Sequence, residues 1–265
     1  MSPSRPALLP AAAATAAVTV LITLTGCAGA RPQAPRPLEV QAAAAPASAR
    51  AVAPPPPAAA GLAVPAGLAV PAGLGPATLH RIPAGSRQLL VVTGETAGSW
   101  RSTAVLWLRD PAGRWHPGPT WLAHNAREGW TEHHREGDLR SPEGVYTLSD
   151  AGGRLPDPRP HGGLPYHRSA SFATSGTGFL GEPLAGSFDY VVAIDYNRVR
   201  GTSPLDGARP EGGALGGGIW LHVDHGGPTH ACVGLSKSDM ASLIRQLDPA
   251  AHPVVAMGTR AFLAR

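Results

Sequence analysis

Short apolar runs separated by turn residues recur along the chain from about residue 88. The runs cover 89–93, 103–109, 121–125, 144–148, 190–195, 218–223 and 253–257. Runs of this length that are bounded by Gly, Pro, Asn and Asp are typical of β-strands, and the segment 110–113, Asp-Pro-Ala-Gly, predicts a turn between two of them. The pattern therefore predicts a mostly β domain.

One later segment has the period of an amphipathic helix. Its apolar positions share one helical face: Met240, Leu243, Ile244 and Leu247. Ser238 is a suitable N-cap, and Asp248-Pro249 ends the helix. Many strands with one or few short helices favour a β-sandwich-like fold. The irregular stretch 150–186 predicts a lid or binding element.

The N-terminal segment has the features of an export signal. Residues 7–24 are mostly apolar and follow a short basic start, which is typical of a signal-peptide h-region rather than a membrane span. The next residues, Leu24-Thr25-Gly26-Cys27, resemble the bacterial lipobox, in which the cysteine is lipidated and becomes the new N-terminus. We therefore predict a signal peptide at 1–26 and a lipid anchor at Cys27.

Residues 27–78 predict a tether. They are nearly all Ala, Pro, Gly and Val and repeat the motif Gly-Leu-Ala-Val-Pro-Ala from Gly61 and again from Gly67. A proline every six residues disfavours both helix and sheet, so this stretch is expected to be disordered with polyproline character. The remaining residues, 79–265, have the usual size of one domain.

Charge adds little to this picture. The formal net charge is +4, but the basic residues are scattered and no Lys/Arg run with interleaved aromatic residues occurs. The sequence thus predicts no nucleic-acid partner.

The candidate chemistry lies in residues 219–235. This stretch begins as an apolar run, turns at 226–228 and then presents Cys232 near His222 and His230. Two cysteines in an exported protein could form a Cys27–Cys232 disulfide, but lipidation of Cys27 would exclude that bond. Cys232 would then be either an inert buried thiol or a nucleophile with a neighbouring base.

The segment Thr229-His230-Ala231-Cys232-Val233-Gly234 resembles the signature of the L,D-transpeptidase (YkuD-type) catalytic domain, in which Ser/Thr-His-Gly-Cys precedes an aliphatic residue and Arg or Asn. The segment 140–146, Arg-Ser-Pro-Glu-Gly-Val-Tyr, is similar to the Gly-x-x-Thr-Pro-x-Gly-x-Phe segment of the same family. The resemblance covers roughly residues 88–258.

Members of that family cross-link peptidoglycan stem peptides through a cysteine acyl-enzyme. The resemblance implies Cys232 as nucleophile and His222 as base, with backbone N–H groups around Ala231 and Cys232 as the oxyanion hole. It implies supporting roles for His230 and Thr229. Possible substrate contacts are Gly234, Tyr166 and Arg135. It implies no cofactor. Together with the predicted export signal and lipid anchor at Cys27, it predicts a domain that acts in the cell wall and is anchored by lipid to the outer face of the bacterial cytoplasmic membrane.

Two residues depart from the family signature. Ala231 stands where glycine is usual, and a β-carbon would cost on the order of 1 kcal/mol if that position needs positive φ. Gly234 stands where Arg or Asn is usual, which removes a hydrogen-bond donor near the substrate.

Three alternatives remain open from the residues. An L,D-carboxypeptidase would use the same acyl-enzyme. A zinc-dependent hydrolase could use Cys232 and three histidines, at 222, 225 and 230, as ligands. A catalytically decayed wall-binding lipoprotein would explain Ala231 and Gly234.

Overall fold

The computed structural model describes residues 67–265. Strands dominate its regular structure, so the prediction of a mostly β domain with few short helices is confirmed. The strands are β1 (Gln88–Gly94), β2 (Arg101–Arg109), β3 (Trp115–His124), β4 (Trp130–Thr131), β5 (Ser141–Pro142), β6 (Gly144–Gly153), β7 (Tyr166–Arg168), β8 (Val191–Ile194), β9 (Trp220–Val223), β10 (Val233–Leu235) and β11 (Val254–Thr259). The helices are α1 (Pro76–Arg81), α2 (Lys237–Gln246) and α3 (Arg260–Leu263).

Eight of the strands form one closed sheet. Their order is β11-β1-β2-β3-β10-β9-β8-β6, and β6 pairs with β11 to close the ring. Strand β7 adds to β6 outside this ring, and the short strands β4 and β5 pair separately. The strand pairing thus establishes a closed eight-stranded barrel.

Strand β1 shows why the apolar runs are continuous rather than alternating. Leu90 and Val92 join the main interior cluster, whereas Leu89 and Val91 join a second cluster that includes residues of α3. Successive side chains point to opposite faces of a strand, so both faces of β1 are buried.

Helix α2 packs its predicted apolar face into the main interior cluster. Met240, Leu243 and Ile244 are buried there. The N-cap is Ser236 rather than the predicted Ser238, because the Ser236 Oγ accepts a hydrogen bond of 3.1 Å from the N–H of Asp239. Both serines precede the apolar stripe, and only the capping geometry distinguishes them.

Residues 67–78, which the sequence analysis assigned to the tether, belong to the folded domain. Leu68 exchanges two backbone hydrogen bonds of 2.8 Å with Trp115 at the start of β3. Leu74 is buried in the second cluster, and Pro76 opens α1. A proline at the first position of a helix is favourable, so the proline-rich composition did not exclude structure here.

The predicted signal peptide, Cys27 and the predicted tether up to residue 66 lie outside the described residues. In the part of the chain that is described, no helix has the length and apolar character needed to cross a membrane.

The stretch 150–186 is less irregular than its sequence suggests. Strand β6 continues to Gly153, β7 adds three residues, and Ala170–Phe172 forms a 3-10 turn. The remaining loops lead to residues 174–188, which border the candidate site.

The packing of α2 predicts a large effect of truncating its central side chain. Leu243→Ala should lower the free energy of unfolding by about 2–5 kcal/mol, because Leu243 is fully buried in the interior cluster. Leu122→Ala, at a residue that is 82% exposed on β3, should change it by less than about 0.5 kcal/mol. Urea unfolding of both variants provides the measurement. Equal losses would show that α2 does not complete the core.

Candidate active site

Strands β9 and β10 bring Cys232 and His222 to one face of the sheet. The strands are parallel neighbours, and His222 lies opposite Gly234 in their register. Cys232 is two residues before Gly234, and alternate residues of an extended chain share a face. Both side chains line one pocket of about 270 Å³.

The turn that carries Cys232 is fixed by hydrogen bonds from neighbouring segments. The Thr229 N–H donates to the carbonyl of Asn125 at 3.0 Å, and the Thr229 hydroxyl donates to the carbonyl of Cys232 at 2.7 Å. Thr229 is itself buried. The predicted supporting residue therefore ties the cysteine to the chain that follows β3.

Ser141 of β5 orients the peptide group before the cysteine. Its hydroxyl donates to the carbonyl of Ala231 at 2.8 Å and accepts from the N–H of Ala126 at 3.1 Å. In a trans peptide the carbonyl and the next N–H point in opposite directions, so the Cys232 N–H points away from Ser141. Neither this N–H nor that of Ala231 donates to another residue in the described part of the chain. Both N–H groups therefore lack a partner among the described residues; Cys232 lines the pocket, whereas Ala231 does not. An oxyanion hole requires such unpaired donors.

The thiol of Cys232 sits in a weakly polar environment. The N–H of Trp220 donates to its Sγ at 3.4 Å, and the Gly218 carbonyl lies 3.8 Å from the same sulfur. Burial raises the pKa of the Cys232 thiol to about 11, although the Trp220 hydrogen bond acts in the opposite direction. The thiol is therefore protonated at neutral pH.

The imidazole of His222 is buried and has a defined tautomer. Its Nδ1 lies 2.9 Å from the carbonyl of Val223. A carbonyl can only accept, so Nδ1 carries the proton and Nε2 is left as the proton acceptor. Burial lowers the pKa of His222 to about 4, while the hydrogen bond to Val223 partly opposes this shift.

At rest, Cys232 and His222 form a neutral pair. No hydrogen bond joins Sγ to either ring nitrogen of His222. The raised pKa of the thiol and the lowered pKa of the imidazole both disfavour a thiolate–imidazolium pair at pH 7. A neutral His222 can still act as a base if the thiol loses its proton during attack on a carbonyl.

Two aromatic neighbours, Phe188 and His225, contact the His222 ring. Phe188 meets it edge-on, with ring centroids 5.5 Å apart. His225 stacks on it nearly in parallel at 5.8 Å, and the Nδ1 of His225 lies 3.0 Å from a carboxylate oxygen of Glu182. The side chain of His225 is only 7% exposed, because it packs between His222 and Glu182.

Glu182 joins residues 174–188 to the turn that follows β9. Besides the contact with His225, its other carboxylate oxygen accepts from the N–H of Leu180 at 2.7 Å. A β-carbon at Gly227 would collide with the Glu182 carboxylate, so this carboxylate would have to shift if residue 227 carried a side chain. The irregular segment that the sequence predicted as a lid or binding element thus forms one wall of the pocket.

His230 also lines the pocket that contains His222. Its ring packs against Phe179 with centroids 4.8 Å apart, and the residue is exposed. The resemblance implied a supporting role for His230, and the structure places this residue on the pocket lining.

Tyr166 and Arg135, two of the predicted substrate contacts, do not line this pocket. Tyr166 lies on β7 and donates its hydroxyl to the carbonyl of Leu155 at 3.0 Å. Arg135 is exposed, and its N–H donates to the carboxylate of Asp138 at 2.9 Å. Both residues are therefore explained by local structure.

The departures at Ala231 and Gly234 differ in their physical consequences. Ala231 does not have positive φ, so its β-carbon causes no backbone strain there. Gly234, the third predicted contact, is buried in β10 and does not line the pocket. A β-carbon at Gly234 would lie 3.0 Å from a carboxylate oxygen of Asp224, which also contacts Nδ1 of His124 at 2.9 Å. The side chain of Asp224 occupies the space that a longer residue at this position would need.

The potential zinc ligands do not converge. In residues 67–265 no group of three or more His, Cys, Asp or Glu side chains is placed to hold a metal ion. The contacts of His225 and His230 described above direct their rings to Glu182 and Phe179 instead.

Comparisons of the chain with protein-family models, with curated proteins and with solved structures found no match. The arrangement of Cys232, His222 and the free N–H groups is therefore interpreted from its own geometry.

Sequence reasoning missed several residues of the site. Ser141 was visible, since it lies in the Arg-Ser-Pro-Glu-Gly segment that resembled the family. Phe179, Glu182 and Phe188 carried no such signal, because nothing in an irregular segment shows which part of the sheet it will cover.

The neutral thiol predicts an unusual pH dependence of alkylation. Because burial raises the pKa of Cys232 to about 11, the thiol should react with iodoacetamide roughly 100-fold more slowly at pH 8 than a free cysteine, and the rate should still rise above pH 9. Peptide mass spectrometry separates Cys232 from Cys27. A rate that is already constant from pH 6 would contradict the neutral pair and indicate a thiolate.

Proposed function

We propose that this protein is a peptidoglycan L,D-transpeptidase that forms cross-links through an acyl-enzyme on Cys232. The observation that carries the proposal is that His222 on β9 and Cys232, which immediately precedes the adjacent parallel strand β10, line one pocket. The unused N–H groups of Ala231 and Cys232 supply the third element that acyl transfer needs.

The proposed first step is acylation. Sγ of Cys232 attacks the carbonyl between the diamino acid and the terminal D-Ala of a tetrapeptide stem, while Nε2 of His222 takes the thiol proton. The negative oxygen of the tetrahedral intermediate is held by the two free N–H groups, which can be worth about 3 kcal/mol each. Collapse breaks the peptide bond, and His222 returns the proton to the leaving D-Ala amine.

The second step resolves the thioester. An amine of another stem attacks the acyl carbon, loses a proton to His222, and forms the new amide as the thiol is regenerated with that proton. If water takes the place of the amine, the same acyl-enzyme yields a carboxypeptidase product.

The proposal extends to the fold and to location. We assign the closed sheet to the β-sandwich-like catalytic domain of that family, since a flattened closed sheet has two facing layers around one apolar interior. We further propose export and lipid anchoring at Cys27, which would place the domain on the outer face of the bacterial cytoplasmic membrane.

The acyl-enzyme is testable by intact mass spectrometry. Full-length protein in detergent, incubated with a tetrapeptide stem and an amine acceptor, should show an adduct on Cys232, released D-Ala and a cross-linked product. Cys232→Ser should show none of these, and His222→Gln should slow D-Ala release by about 10²–10⁴-fold. His133→Gln, at an exposed histidine, serves as the control and should react like the unmodified protein.

Each other result has a defined meaning. D-Ala release without cross-linked product would select the carboxypeptidase, and activity that disappears on removal of zinc would select the hydrolase. A folded protein that forms no adduct would support the wall-binding lipoprotein and refute acyl transfer.

The neutral pair also predicts the pH profile of acylation. His222 must be unprotonated to act as base, so kcat/KM should fall only as the pH drops towards its pKa of about 4. The thiol must begin with its proton, so the alkaline limb should lie near about 11. Initial rates of D-Ala release from pH 4 to 10 should therefore rise only at the acidic end of this range and stay level above it. An acidic limb near 6.5 would show that His222 is not buried in the active form, or that another histidine is the base.

A further inference from the structure

We infer that the guanidinium of Arg127 forms a carboxylate-binding subsite at the rim of the Cys232 pocket. The ligand would be a carboxylate of the donor peptide, either at its C-terminus or on the side chain of its diamino acid. This inference rests on the proposed function, because that function supplies a peptide with both groups.

The backbone of Arg127 is attached directly to the cysteine turn. Ala126 forms a parallel bridge with Thr229, and the N–H of Arg127 donates to the carbonyl of Thr229 at 3.0 Å. Since the Thr229 hydroxyl holds the carbonyl of Cys232, one short chain of hydrogen bonds connects Arg127 to the nucleophile. The base of the arginine is therefore fixed relative to the thiol.

The side chain of Arg127 extends over the wall of the pocket. Its guanidinium carbon lies 5.1 Å from the centre of the Phe179 ring, which in turn packs on His230. Phe179 and His230 both line the pocket. A cation above an aromatic face is stabilised by the ring quadrupole, so this contact holds the charge at the rim.

The guanidinium of Arg127 has hydrogen-bond donors without a partner among the described residues. Its only carboxylate neighbour among the described residues is Glu128, whose oxygen lies 3.5 Å from Nε, and both side chains are about half exposed. Neither terminal nitrogen of Arg127 donates a hydrogen bond to a described residue. A planar guanidinium with both terminal nitrogens free can bind a carboxylate through two parallel hydrogen bonds.

The pocket lining supplies no competing permanent charge. It contains three histidines and no lysine, arginine, aspartate or glutamate. His222 is neutral at pH 7, and the nearby Glu182 carboxylate already contacts His225. Arg127 carries a permanent positive charge and contacts Phe179 of the lining. An anionic substrate group would therefore be attracted to this side of the pocket.

The test compares a donor peptide in three forms: with all carboxylates free, with an amidated C-terminus, and with an amidated diamino-acid side chain. Arg127→Gln in the full chain should raise KM for the free-acid peptide by about 10–100-fold and leave kcat little changed. For the peptide in which the recognised carboxylate is amidated, the unmodified protein and the variant should have the same KM. The form that shows this equality identifies the carboxylate.

Arg101 offers a matched control. Its guanidinium carbon also lies 5.1 Å from an aromatic ring, that of Trp100, but neither residue lines the Cys232 pocket. Arg101→Gln should therefore leave KM unchanged for all three peptides. An equal loss in both variants, or a loss in Arg127→Gln that is the same for every peptide, would overturn the subsite.

Binding to Cys232→Ser separates this inference from the proposed chemistry. Calorimetric titration with the free-acid peptide should show binding that weakens about 10–100-fold on adding Arg127→Gln. If the protein forms no acyl adduct but retains Arg127-dependent binding, acyl transfer fails and the subsite stands. If Cys232→Ser does not bind the free-acid peptide, or binds it equally with and without Arg127, the subsite is refuted whether or not an adduct forms.

Discussion

The candidate site depends on the parallel pairing of β9 with β10. That register places Cys232 within reach of the Trp220 N–H and puts His222 on the same face of the sheet. A shift of one residue would send either side chain into the apolar interior, because alternate positions of both strands are core residues. The barrel therefore fixes the relative position of thiol and imidazole more firmly than a loop could.

Burial decides the electrostatics of this pair. The interior and the aromatic wall remove water from His222, and the same environment disfavours a thiolate at Cys232. The polar groups around the nucleophile are mainly backbone groups. The hydroxyl of Ser141 donates to the carbonyl of Ala231, and the hydroxyl of Thr229 donates to the carbonyl of Cys232. In such a site charge develops only during the reaction, when preorganised N–H groups can stabilise the oxyanion.

The sequence predicted the strands and the helix well, because apolar runs and an amphipathic period report directly on burial. The same signals could not show that the sheet closes, since closure depends on the pairing of β6 with β11, which lie about 100 residues apart. Ser238 was mistaken for the N-cap Ser236 because two serines fit the same pattern. Within the site, motif order located Cys232 and His222, whereas His225 and Phe179 depend on how residues 174–188 fold over the sheet.

The space around residue 234 explains why this position does not carry a cationic side chain. A cationic side chain there would extend into the space that the carboxylate of Asp224 now occupies beside His124. Gly234 has no side chain to enter that space. The guanidinium near the cysteine turn is that of Arg127, which packs on the ring of Phe179. The backbone of Arg127 is hydrogen-bonded to Thr229 of that turn. The absence of a cationic side chain at residue 234 is therefore compatible with the proposed recognition of an anionic peptide.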